Sequence, residues 1–544
     1  MRSLPTRPTT RRAVLGASAA VLGSGLLSAC SGSGSSSRSG SGSTGADHGS
    51  MNHGGSLADG PPGYVDPAGP EVKAAEAARK ATGPLTEVKI TATATPLDLG
   101  GGHTVRSWAY GDKLPGQEVR ATAGGTLALT LANNLPAATS LHWHGIALRN
   151  DMDGVPALTQ RDIAPGGSFA YKFAVTHPGT YWFHPHTGVQ QDRGLYAPLI
   201  VEDPKEPLSY DKEWVVVLDD WIDGVDGATP DAVLAELRQG MTAAGGGHAH
   251  GQAPAPAGRG GAGPGGGRSH VMMGGNSELL GGDAGDVVYP HYLINGRVAD
   301  DPSVFTARPG DRIRLRIINA GGDTAFRIAL GGHELTVTHT DGFPVEHAKA
   351  SSLLLGMGER YDVLVTAQDG VFPLTALAEG KGRSALAVLR TGSGTAPTAA
   401  TRPAELDVRP VMADALKAAG PAVLAPREPD RTVRIRLTGT MARYNWAFDG
   451  KPYTPDQRHP VKAGERVRLE FSNQSAMWHP VHLHGHTFAL GGGAGGARKD
   501  TAILLPGKRL TADFDADNPG LWMMHCHNVY HSESGMMTVL GYQL

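Results

Sequence analysis

From Glu87 onward, apolar and polar residues alternate in short segments with a period of two, as in Leu127 to Leu131, Arg312 to Ile317 and Val467 to Phe471. Successive side chains on a strand face opposite ways, so this alternation predicts half-buried antiparallel strands. Each of the three segments follows a glycine-centred turn: Ala123-Gly-Gly-Thr, Arg308-Pro-Gly-Asp-Arg or Lys462-Ala-Gly-Glu-Arg. Each also runs into asparagine, at Asn133-Asn134, Asn319 and Asn473. A recurrence at such separation predicts three copies of one Greek-key β-sandwich, at 86–205, 206–400 and 401–544, in an all-β chain. Helix-like sequence is confined to about 69–82, 230–239 and 411–419.

A length of 544 residues exceeds what one hydrophobic core organises, which agrees with several domains. The 76 glycines and 38 prolines suit many short strands joined by turns. A formal charge of -3 without a basic stripe excludes nucleic acid as a partner. Arg11-Arg12 precede a small apolar run from Ala13 to Ala29, too short and too rich in Ala and Gly for a spanning helix, and 1–30 reads as an export signal. Leu27-Ser28-Ala29-Cys30 resembles a bacterial lipobox, and the paired arginines resemble a twin-arginine signal. The expectation is an exported protein on the outer face of a bacterial membrane, touching lipid only through an anchor on Cys30. Cys526 is then the sole remaining thiol, so no intrachain disulfide forms. Residues 31–85 read as a flexible tether, Ser/Gly-rich at first and carrying His48, Met51 and His53. A Gly-rich insertion over 241–285, with His248, His250, His270, Met272 and Met273, reads as a mobile loop.

Four histidine clusters carry the chemistry: His142-Trp-His144, His184-Pro-His186, His479-Pro-Val-His482-Leu-His484, and His525-Cys526-His527 with His531 and Met536 beyond. Strand parity places His142 with His144, His184 with His186, His482 with His484 and His525 with His527, giving four pairs and eight imidazoles. His479 and Cys526 have the opposite parity and belong to a second site. Two His, a Cys thiolate and a distant Met form the ligand set of a blue electron-transfer copper, supplied here by His479, Cys526, His531 and Met536. The eight remaining imidazoles suit a cluster of copper ions. Zinc, which takes four closed ligands or three and an open position, divides them poorly.

In order and spacing these clusters resemble those of the three-domain multicopper oxidases, the family of laccases, bilirubin oxidases and bacterial cuprous oxidases, with similarity over 87–544. The resemblance implies three cupredoxin domains and four coppers per chain. A type 1 copper would sit at His479, Cys526 and His531 with Met536 axial, and a type 2 copper on His142 and His482. The type 3 pair would take His144, His184 and His527 for one ion and His186, His484 and His525 for the other. Asp153, in Met-Asp-Gly-Val-Pro, matches the family's acid near the cluster and is expected to relay protons. The second acid of bacterial cuprous oxidases falls on Ser532, with Glu533 one further on. His486 is expected to support the site without binding metal.

Electrons would pass from a reducing substrate at the type 1 copper to dioxygen at the three-copper cluster. Met477 matches a substrate-copper ligand of bacterial cuprous oxidases, yet the acid expected two residues earlier is Ser475. Both Cu(I), serving copper tolerance, and phenols or aromatic amines therefore remain open as donors. Two alternatives from other classes are a copper nitrite reductase, which has histidine on one side only of its cysteine, and a non-catalytic copper-binding protein, which needs no thiolate between cluster ligands.

Overall fold

Alternating sequence becomes paired sheets, three times over. The computed structural model describes residues 61–240 and 269–544, all within one compact unit spanning Asn52–Leu544. In the first copy, Gly125–Asn134 runs parallel to Leu85–Gly100 and antiparallel to Ser168–Val175. Arg312–Asn319 stands likewise between Lys212–Trp221 and Arg360–Thr366. Arg466–Asn473 repeats the arrangement between Arg431–Thr438 and Arg509–Asp515. The second sheet of each copy is also of one design, with Ala197–Glu202, Arg383–Arg390 and Met537–Tyr542 each parallel to a short edge strand and antiparallel to the strand before them. The matching arrangement shows an all-β, cupredoxin-like architecture.

The turn and asparagine signals have a shared physical cause. Gly124, Gly310 and Gly464 enter the repeated strand at φ of 82°, 89° and 84°, in the left-handed region where a side chain is costly. At the strand's far end Asn133, Asn319 and Asn473 are buried and make the same three bonds. Nδ2 of each donates to two carbonyls: Ala137 and Ile163, Thr324 and Leu355, or Met477 and Leu504. Oδ1 accepts the backbone N–H of Leu135, Gly321 or Ser475, two residues on. Each asparagine thereby pins the loop leading to the next strand of the facing sheet.

Helices form at Pro70–Ala78 and Pro230–Arg238, both with proline in the first turn. The helix expected over 411–419 is not formed. Val411 bridges to Leu353, and Ala418 and Ala419 donate to Gly495 and Pro344, so cross-chain pairing overrides local propensity and leaves only a 3-10 turn at Ala413–Ala415. Two other expectations also change. Residues 61–85 are not all tether: Val65 and Val72 are buried, and Arg79 bonds Asn518. Residues 269–285 of the insertion are built into the fold: Val271 bridges to Val287, and Asn276–Ser277 pairs with Gly282–Asp283. The export signal, Cys30, His48, Met51, His53, His248 and His250 lie outside the described residues. Within those residues, no helix is long and apolar enough to cross a membrane.

Candidate metal centre

The repeat explains where the histidines stand. Nine residues beyond Asn133 and Asn473 lie His142 and His482, and two further on lie His144 and His484. On the neighbouring strand His142 faces His184, and His482 faces His525. The middle copy puts Ile328 and Leu330 at the first pair of positions and Ala376 opposite Ile328. One sandwich design thus carries imidazoles in its first and third copies and apolar side chains in its second.

All eight imidazoles converge. The ligand nitrogens of His186, His484 and His525 lie within 4.8 Å of one another, as do those of His142, His144 and His184 and those of His142, His482 and His484. Nδ1–H of His142, His184, His482 and His525 donates to the carbonyls of Asp153, Pro185, Asp500 and Cys526, each at 2.9 Å. Nδ1 of His484 bonds Asp153 Oδ2 at 2.9 Å. These bonds fix the tautomer and leave Nε2 with its lone pair inward. Nε2 of His142, His184, His482 and His484 is buried without a partner. His144 is turned around: Nε2 bonds Asp500 Oδ1 at 2.9 Å, and Nδ1 faces His527 Nε2 at 3.1 Å. His186 Nε2 and His525 Nε2 face each other at 3.4 Å. Two nitrogens on one metal ion at about 2 Å each are about 3–3.5 Å apart, so the facing pairs have the spacing of shared ligation. Burial is the leading cause that holds His144, His184, His186, His484, His525 and His527 well below the ordinary imidazole pKa, and it lowers His482 too, which keeps them neutral as metal binding requires.

A second group lies on the other face of the same strand. Cys526 Sγ is 3.6 Å from Nδ1 of both His479 and His531, whose Nδ1 atoms are 3.0 Å apart. Met536 is fully buried, and its carbonyl accepts the Cys526 N–H at 3.1 Å. Ser475 Oγ holds His479 Nε2 at 2.8 Å, and Asp286 Oδ2 holds His531 Nε2 at 2.9 Å. Burial opposes protonation of His531, but Asp286 and then the Cys526 sulfur outweigh it and lift its pKa to about 10. Two imidazoles, a thiol and a nearby methionine suit copper in preference to zinc or a hard cation.

Of the other expected residues, Asp153 is fully buried and touches two histidines, with Oδ1 3.2 Å from His142 Nδ1 and Oδ2 on His484. His486 spans the His484 carbonyl and the Tyr542 hydroxyl. Met477 is only 1% exposed. Glu533 is buried too, and burial pushes its pKa up to about 7.

Sequence reasoning missed the residues that orient these ligands. Asp500, besides holding His144, is gripped by Arg360 at 2.7 and 2.6 Å. A Cβ on Gly358 would lie 2.8 Å from the His144 ring and 3.0 Å from that of His527. The middle copy therefore braces the cluster without an imidazole of its own in it. Asp286 stands immediately after the insertion and also accepts the Tyr444 hydroxyl. The Arg-Lys-Asp-Thr run at 498–501 was the one signal available for Asp500; nothing local marks Arg360 or Asp286.

Comparison with known proteins agrees with this geometry. Multicopper oxidase family models match residues 91–206, 274–394 and 426–543. The multicopper oxidase MmcO of Mycobacterium tuberculosis is 47% identical over 87% of this chain and 90% of its own. A copper resistance protein A homolog of Pseudomonas syringae pv. tomato is 29% identical over 83% of this chain and 90% of its own. The crystal structure of a multi-copper oxidase from Pseudomonas thermotolerans, 26% identical, superposes with a TM-score of 0.62 over 85% of this chain and 100% of that one. The chain belongs to the multicopper oxidase family, copper-dependent oxidoreductases that use dioxygen as electron acceptor.

Proposed function

We infer that the protein holds four coppers and oxidises Cu(I) at the expense of dioxygen. The observation that carries the four-copper reading is the run His525-Cys526-His527 at the end of the strand Leu521–Cys526, with Cys526 facing His479 and His531 while its two neighbours face His186 and His144. His479, Cys526, His531 and Met536 would hold the type 1 ion, and His142 with His482 the type 2 ion. His144, His184 and His527 would hold one type 3 ion and His186, His484 and His525 the other. The facing nitrogens of His144 and His527 support that division, as does the grouping of His186, His484 and His525. Copper held at Cys526 would supply one-electron acceptance, and copper held by the eight imidazoles would supply the chemistry of dioxygen reduction.

The chain's own groups do the rest. Peptide bonds join Cys526 directly to His525 and His527, a covalent path between the two sites. Asp153 keeps His142 and His484 in one tautomer and has Oδ1 placed to hold a proton beside them. The three-sandwich organisation divides near 205 and 400, and the protein acts outside the cytoplasm after export by the 1–30 signal.

Cu(I) as donor is supported by the relative named for copper resistance. Burial of Met477 favours phenols or aromatic amines as a second reading, because a solvent-borne metal ion does not reach a thioether that is 1% exposed. Oxygen uptake with Cu(I) and with simple phenols, using the purified enzyme, separates them. Rapid uptake with phenols and none with Cu(I) overturns the first reading.

A further inference from the structure

Reducing one dioxygen to two waters takes four protons as well as four electrons, and the eight imidazoles are not equally close to water. Seven are 0–3% exposed, while His186 alone is half-buried. Beside it, a hydrogen-bonded row of side chains leads to the surface. The His186 backbone N–H donates to Ser140 Oγ at 2.8 Å, Thr187 Oγ1 lies 3.0 Å from Ser140 Oγ, and the same Thr187 oxygen lies 3.3 Å from Asp162 Oδ1. Asp162 is half-buried and lines an open cavity of about 450 Å³, together with Met152, Gln160, Ile163 and Phe169. Ser140, at the inner end, is fully buried.

We propose that Asp162, Thr187 and Ser140 form a second proton entry to the oxygen-reducing site, drawing on cavity water and releasing protons beside His186. This rests on the oxidase reading above. Asp162 takes a proton from cavity water, which recovers it from bulk solvent. Thr187 and Ser140 each accept one proton on oxygen and give up the one already there, and the proton leaving Ser140 ends on the dioxygen-derived oxygen that becomes water. No group in the row is oxidised or reduced, and the electrons arrive from the donor substrate. A hydroxyl both donates and accepts, so Thr187 and Ser140 can pass a proton where a methyl group cannot.

The test uses the copper-loaded full chain with Asp162→Asn, Thr187→Val and Thr187→Ser. Anaerobic reduction of the blue band by a donor reports the electron-accepting half, and reoxidation of the reduced enzyme by oxygen, in H2O and in D2O, reports the other. The proposal expects normal anaerobic reduction throughout. Reoxidation should slow about tenfold or more in Asp162→Asn and Thr187→Val, with recovery in Thr187→Ser and on adding a small carboxylic acid. A copper-free readout accompanies it: the infrared carboxyl band lost in Asp162→Asn should shift in Thr187→Val and return in Thr187→Ser. Wild-type reoxidation rates and isotope effects in both disruptive variants overturn the proposal. Failure of the wild type itself to reoxidise overturns instead the oxidase reading.

Discussion

Arg360 grips both carboxylate oxygens of Asp500, at 2.7 and 2.6 Å, with both side chains fully buried. Through Asp500 Oδ1 that grip reaches His144 Nε2 and turns the ring so that Nδ1 points at His527. Arg360→Lys keeps the charge but loses the planar fork. Copper affinity at the eight-imidazole site should fall about 10–100-fold, as when outer partners of metal ligands are changed, while the blue absorption stays. Arg360→Met should also destabilise the fold by about 3–5 kcal/mol, because Asp500 is left buried without its cation. Metal analysis and thermal unfolding check both.

Asp286 plays the corresponding part for His531. Asp286→Ala removes the acceptor from His531 Nε2 and from the Tyr444 hydroxyl. The expected outcome is the reverse of the Arg360 variants: about 10–100-fold weaker retention of the blue copper with the cluster copper kept. Titration with a chelator, followed by absorbance, measures it.

Copper removal should make stability strongly pH-dependent. Burial lowers the pKa of seven cluster histidines in the folded chain, so the unfolded chain binds more protons once pH falls toward the ordinary imidazole value of about 6.5. Their neutral burial is therefore tolerated above about pH 6.5 and costs increasing stability below it. His531, with its pKa raised to about 10, acts in the opposite sense and is outnumbered. Denaturant midpoints from pH 8 to 5 should fall in the copper-free protein and change less in the loaded one.

Asn319 tests the repeat in the copy that contributes no imidazole to the cluster. Asn319→Ala strands the buried carbonyls of Thr324 and Leu355 and the N–H of Gly321, at a cost of about 1–3 kcal/mol for each group left unsatisfied. A lowered unfolding temperature with unchanged copper content is expected.

Much of this was legible in the chain because strand periodicity is local. His-x-His spacing on extended segments gave the four pairs, and the recurring Gly-turn and Asn gave the three copies. What the sequence hid is long-range. Arg360 meets Asp500 across 140 positions, and Asp286 meets His531 across 245; no local pattern encodes either pairing. Residues 411–419 misled for the same reason, since partners at Leu353 and Gly495 decide their conformation.

The central claim is that Cys526 serves one copper and its flanking histidines belong to a separate cluster. The most direct measurement is copper content with the absorption spectrum, for the wild type and Cys526→Ser. Four coppers per chain with strong blue absorption are expected in the first, and three coppers without it in the second. One copper, or zinc, in the wild type, or a blue colour surviving in Cys526→Ser, would contradict the account.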